Sequence, residues 1–208
     1  MMRTQQILSE AKRITSASLS ACMAYFVVLT ALAAILDIFN PAGSFNVILN
    51  IVDLVAVYVL IRAMMILSGL ASDPLAGGFG TYFGIWLFGG TAIILGFFAL
   101  IVPGIYLASR LAPAYGFGLN DGKGTVEALS AAWDGTRHSV LSITGALSLP
   151  FAALIVGLVL YIFALDDAGE VVIWLSIVGS AASNIGIIGI TAVGLSVYAL
   201  SGDGKTVT

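Results

Sequence analysis

From Thr81 to Leu119 the chain carries one charged residue, Arg110. As a single helix this stretch would be almost 60 Å long, at about 1.5 Å per residue. That is twice the ~30 Å hydrocarbon core of a bilayer, so the segment must break. Pro103-Gly104 is the natural breaking point. Proline lacks an N–H and clashes with the preceding helical turn, yet it suits the first turn of a following helix. Residues 104–119 then either return through the membrane as a short span or lie in the interface.

The solvent behind this argument is lipid. Of 208 residues, 60% are hydrophobic and 9% are charged, and the mean hydropathy is +1.08. Soluble domains are about one quarter charged, and so few charges cannot cover a water-facing surface. The net charge is only −3 and there is no basic run, which argues against nucleic acid as a partner. Cys22 and His138 are the sole cysteine and histidine. An intrachain disulfide and a metal site of several Cys or His ligands are therefore excluded. Lys12 and Arg13 precede an apolar run from Ile14 to Leu36. It exceeds the ~7–15 residues of a signal-peptide core and is expected to be a retained span.

Stretches near the ~20 apolar residues of a span occur at 19–39, 47–70, 82–102, 140–165 and 171–200. Turn signals follow them at "NPAG", "SDPLAGG" and "DDAGE". The positive-inside rule bears on residues 104–119. With the N-terminal Arg3, Lys12 and Arg13 in the cytoplasm, six spans also place Lys123, Arg137 and Lys205 there, and leave Asp166, Asp167 and Glu170 outside. Five spans move Lys123 and Arg137 outside. The expected fold is thus a single all-α polytopic domain of six transmembrane helices, 104–119 being the fourth, with both termini cytoplasmic.

Between spans four and five, residues 125–138 place Val126, Leu129, Trp133 and Val140 at helical spacing, with Glu127, Ser130, Asp134 and Arg137 on other faces. This reads as an amphipathic helix at the cytoplasmic interface, or alternatively as a solvated connector. Thr125 is the expected cap, and Glu127 suits the positive helix end. A weaker stripe joins Ile7, Leu8, Ala11 and Ile14. The last span is rich in small residues, and Gly80 and Gly84 have GxxxG spacing. Both features suit close helix packing.

Ionisable residues in a membrane cost roughly 2.5–3.5 kcal/mol on insertion scales and usually have partners or line water. Asp53 and Arg110 sit at similar depths in their spans, which suggests an ion pair. The alternative is that each reaches headgroups or water. Arg62 can extend to phosphate, line a cavity with Asn184, or hold an anionic lipid headgroup. No nucleophile elbow, phosphate loop or dinucleotide fingerprint is present.

The order of motifs in "VPGIYLASRLAPAYGFGLNDGKGTVEALSAAWDGTRHS" resembles bacterial YciC-like membrane proteins and the membrane domain attached to some glycerophosphoryl diester phosphodiesterases. The matching positions are Pro103, Gly104, Arg110, Glu127, Ala128, Leu129, Trp133, Thr136 and Arg137. Ala132 stands where serine is usual, and His138 where glycine is common. The match covers about 40 residues, and the rest agrees only in hydropathy and order of spans. The resemblance implies a multi-pass bacterial inner-membrane protein. It does not imply phosphodiesterase activity, which in the fused proteins belongs to a separate soluble domain.

The functional expectation is a non-enzymatic envelope scaffold or membrane partner protein without a cofactor. The alternative is a small transporter or lipid-handling protein that uses the Asp53, Arg62 and Arg110 region. Membrane lipids are the expected partners. The cytoplasmic face is free to take a protein partner, and the small-residue faces are free to pair two copies.

Overall fold

The computed structural model describes residues 2–39, 46–71, 76–164 and 172–201, with residues 46–48 as backbone only. The "NPAG" turn, Asp166, Asp167, Glu170 and Lys205 lie outside the described residues. Among the described residues the chain is all α, with no strand. The helices are α1 (Thr4–Ala17), α2 (Leu19–Phe39), α3 (Asn46–Leu67), α4 (Phe79–Ala99), α5 (Ile101–Leu111), α6 (Ala114–Leu119), α7 (Thr125–Gly135), α8 (Val140–Phe163) and α9 (Ile173–Leu200).

Five of them, α2, α3, α4, α8 and α9, are long and apolar enough to cross a membrane. Their outward side chains fit lipid and not water. On α4, Phe88, Leu95 and Phe98 are all exposed. A row of such side chains would be an aggregation-prone patch in water. The chain is a multi-pass, all-helical membrane protein.

Contacts group the residues into two compact units. The first comprises Met1–Ser18, Ile61–Ser148 and Ile190–Thr208. Its frame is the α4–α5 hairpin. α4 stops at Leu100, whose backbone is extended, and α5 begins at the next residue. Pro103 falls in the first turn of α5, where helix N–H groups have no intrahelical acceptor. The break therefore precedes the expected Pro103-Gly104 by three residues, because this proline starts a helix instead of ending one.

The two helices then touch backbone to backbone. A Cβ on Gly96 would lie 3.0 Å from Gly104 Cα, and one on Gly104 would lie 2.4 Å from Phe97 Cγ. Farther along, Gly89 faces Leu111, the Tyr82 and Tyr115 rings are 5.3 Å apart, and Gly118 packs on Ile85 and Thr81. α5 and α6 thus run back along α4 from its end to its beginning. The return path is not one helix. Pro113 cannot donate a backbone hydrogen bond, and the chain turns through Ala112 and Pro113 before α6. Arg62 Nη1 donates to the Leu119 carbonyl at the end of α6 at 3.0 Å and to the Ala76 carbonyl ahead of α4 at 2.6 Å.

α7 packs on this frame through Ala128 and Ala132, both fully buried beside Ile85, Phe117 and Tyr198. The larger residues of the apolar stripe face outward: Val126 is 75% exposed, and Trp133 is partly exposed. Alanines one turn apart let the α7 backbone come close, and that displaces the larger side chains. Nor is Thr125 the cap. Gly124 precedes the helix, and its N–H donates to Glu127 Oε2 at 3.3 Å. The Thr125 side chain instead fills the space over Gly84. Gly80, its GxxxG partner, has nothing within reach.

α1 buries Ile7, Ala11 and Ile14, while Leu8 stays outside. Thr4 Oγ1 donates to Ser142 O at 3.2 Å, and the Met2 N–H to Ser139 Oγ at 3.0 Å. The end of α3 is closed by a left-handed Gly69 (φ 73°), with Leu70 N–H bonded to Met65 O and Gly69 N–H to Ile66 O. Arg13 Nη1 adds a bond to Ser68 O at 3.1 Å, the favourable sign of charge at a helix C-terminus.

The second unit comprises Leu19–Leu60 and Leu149–Gly189. Here the small residues of α9 meet α8. Gly179 and Ser183 fit against Gly157, and Gly186 and Gly189 against Pro150, which lies inside α8.

Gly116, packed against a buried ring, yields a prediction. A Cβ there would lie 2.2 Å from Cγ of the fully buried Tyr198. Gly116→Val should destabilise the protein by about 1–3 kcal/mol through overpacking, read as a lower melting temperature in detergent. Gly80→Ala should melt at or above the parent temperature.

Candidate functional site

Polar residues on four helices of the second unit converge on a cleft of about 610 Å³. α2 contributes Asp37, and α3 contributes Asn50 and Asp53, three residues apart on one face. Gly157 and Tyr161 come from α8, and Ser180, Ser183 and Asn184 from α9. Gly157 and Gly179, also in the lining, are where α8 and α9 touch backbone to backbone. Leu29, Leu49 and Leu154 supply apolar lining.

Each carboxylate is held by one hydroxyl. Tyr25 Oη donates to Asp53 Oδ1 at 3.1 Å, and Ser176 Oγ donates to Asp37 Oδ2. Asn184 Nδ2 donates to Thr30 Oγ1 at 3.0 Å, which leaves its carbonyl oxygen as an acceptor. The second oxygen of each carboxylate takes no hydrogen bond among the described residues. Among the described residues no Lys, Arg or His lines the cleft. Its chemistry is that of acceptors and neutral hydroxyls, suited to a cation. No group of three or more His, Cys, Asp or Glu is placed to hold a metal ion among the described residues.

The sequence-derived candidates separate. Asp53 and Asn184 line the cleft; Arg62 does not, being held by two carbonyls. Asp53 and Arg110 belong to different units, and each has its contacts in its own. The guanidinium carbon of Arg110 lies 4.2 Å from the centroid of the Trp133 ring. Thr136 is buried and donates to Arg110 O at 3.1 Å and to Ala132 O at 2.8 Å. Glu127 caps α7, Arg137 is exposed, and Pro103 and Gly104 shape the hairpin.

Asp37, Tyr25 and Asn50 were not among the candidates. A signal existed. Asp37 and Asp53 are the only acidic residues in the described spans, and they fall in consecutive spans, 16 positions apart in the sequence.

A second polar group in the first unit also went unnoticed. Tyr198 Oη accepts from Asn120 Nδ2 at 2.7 Å and donates to Asp121 Oδ1, and Asp121 pairs with Lys123 at 3.4 Å. It anchors α9 to the end of α6.

Carboxylates without a cationic partner are not stabilising as charges. Asp37→Asn and Asp53→Asn should therefore melt at or above the parent temperature in detergent, where ~1 kcal/mol corresponds to a shift of about 2–4 °C. A fall beyond that range in either variant would contradict the absence of a cationic partner. With the site's geometry in view, the chain matches no protein-family model, no curated protein and no solved structure.

Proposed function

We propose that this is a six-crossing bacterial inner-membrane protein that binds a small cationic solute in its acidic cleft and carries it. The supporting observation is the cleft itself: both acidic residues of the described spans line about 610 Å³ of space with no basic residue among them. Ionisable groups in spans mark substrate and ion paths, and a protonated amine or an alkali cation is the complementary ligand. The activity is binding and passage, with no bond made or broken.

The return of α5 and α6 along α4 supports counting that broken segment as the sixth crossing. The contacts of Met2 and Thr4 with Ser139 and Ser142 support one basic face, since they bring Arg3 beside the junction that carries Arg137. On that topology both termini and α7 are cytoplasmic, with α7 at the interface, and Asp37 and Asp53 lie toward the exported side. Kinship with YciC-like proteins is part of this reading and rests on the segment from Pro103 to Arg137. A scaffold role is the second reading. The observation in its favour is the outward Val126 on α7, an apolar point for a protein partner or a second copy.

A reporter fused after Asp121 should be active on the cytoplasmic side, and exported-side activity would overturn the sixth crossing. Putrescine, ethanolamine, sodium and potassium should be compared as chloride salts by thermal stabilisation of the purified protein. A binding cation at ~100 times its Kd should add about 2.7 kcal/mol, and Asp53→Asn should abolish the shift. No shift with any cation, or an undiminished shift in both Asp37→Asn and Asp53→Asn, would sink the proposal. Uptake of the stabilising cation into proteoliposomes distinguishes a carrier from a scaffold.

A further inference from the structure

Arg110 is 3% exposed, yet among the described residues it lacks the anion that a buried guanidinium needs. Its Nε is fully enclosed and has no hydrogen-bond partner among the described residues. It forms no ion pair among the described residues, where the two salt bridges are Arg13–Glu10 and Lys123–Asp121. What surrounds it is aromatic. Its guanidinium carbon lies 4.2 Å from the Trp133 centroid and 5.9 Å from that of Tyr106, and the two rings meet edge to face. Both rings are themselves exposed.

The position is held firmly. Thr136, the cap that ends α7, donates to Arg110 O, and the neighbouring Ser109 hydroxyl shares a hydrogen bond with Thr144 on α8. Three helices thus fix the base of the side chain. A planar guanidinium presents parallel donors that match a phosphate. Trp and Tyr favour the headgroup level of a membrane. Val102 and Tyr106 precede Arg110 at intervals of four on α5, and both are exposed. That strip offers an acyl chain an apolar track ending at the arginine.

We infer that Arg110, Trp133 and Tyr106 form a site for the phosphate of an anionic glycerophospholipid, with the acyl chain lying along Val102 and Tyr106. The site is in the first unit and shares no residue with the acidic cleft.

The test compares the full-length parent, Arg110→Gln and Arg110→Lys in detergent after delipidation. Phosphatidylglycerol should raise the melting temperature of the parent and be retained by it in native mass spectrometry. Arg110→Gln should be at least as stable as the parent without lipid, since an unpaired buried charge is gone, and should lose the lipid shift. A large loss of stability in Arg110→Gln with the lipid shift intact would make the arginine structural and overturn the proposal. Arg110→Lys keeps the charge without the planar fork and covers a glutamine variant that fails to fold. Its apparent lipid affinity should fall about tenfold, and undiminished affinity would overturn the proposal. Inorganic phosphate and glycerol 3-phosphate should stabilise far less than the lipid. Equal stabilisation by either would show a site for the free oxyanion and overturn the lipid assignment.

Discussion

A peptide group that leaves its helix inside a bilayer has no water to bond with, so the protein must supply a partner. The breaks in this chain are arranged around that demand. The Leu100 N–H still reaches Gly96 O as α4 gives way to α5. Pro103 removes a donor from a first turn that has no acceptor for it. Arg62 spends its charge on the Leu119 and Ala76 carbonyls, and Arg13 does the same for Ser68. Two arginines are thus engaged with backbone carbonyls at helix ends. Arg110 has no such duty, which is what sets it apart.

Close approach is the second theme. Dispersion forces fall away within a fraction of an ångström of the optimum separation, and in lipid there is no hydrophobic drive between helices to compensate. Gly96 against Gly104, Gly116 against Tyr198 and Gly157 against Gly179 bring helix surfaces together where any side chain would hold them apart. The alanines of α7 follow the same rule, and it explains why that helix turns its bulky residues outward.

Long apolar runs and turn residues made the spans readable, because length and hydropathy are properties of single segments. The break before α5 was readable to within three residues, since Pro103 constrains its own neighbourhood. The face that α7 turns to the rest of the unit was not legible. A stripe of large residues is the usual signal for burial, whereas here the contact distance selected Ala128 and Ala132. The cleft was half legible. Asp53 and Asn184 stood out as polar residues in apolar sequence, but Asp37 looked like the end of a span. Its partner Ser176 is 139 positions away, and no local pattern carries that information. The companionship of Arg110 and Trp133 likewise depends on α5 and α7 meeting in space.

The one-residue turn at Leu100 bears on how the protein enters its membrane in the proposed topology. The arms of this hairpin have no exported loop between them. α5 alone is a poor substrate for insertion: Ile101, Val102, Ile105, Leu107 and Leu111 contribute about 0.3–0.6 kcal/mol each, against roughly 2.5–3.5 for its arginine. α4 carries no charge at all. In that topology the uncharged arm can draw the arginine-bearing arm in behind it. Synthesis would have to proceed past α6 before either arm settles, and the order of translation becomes part of how Arg110 reaches its place.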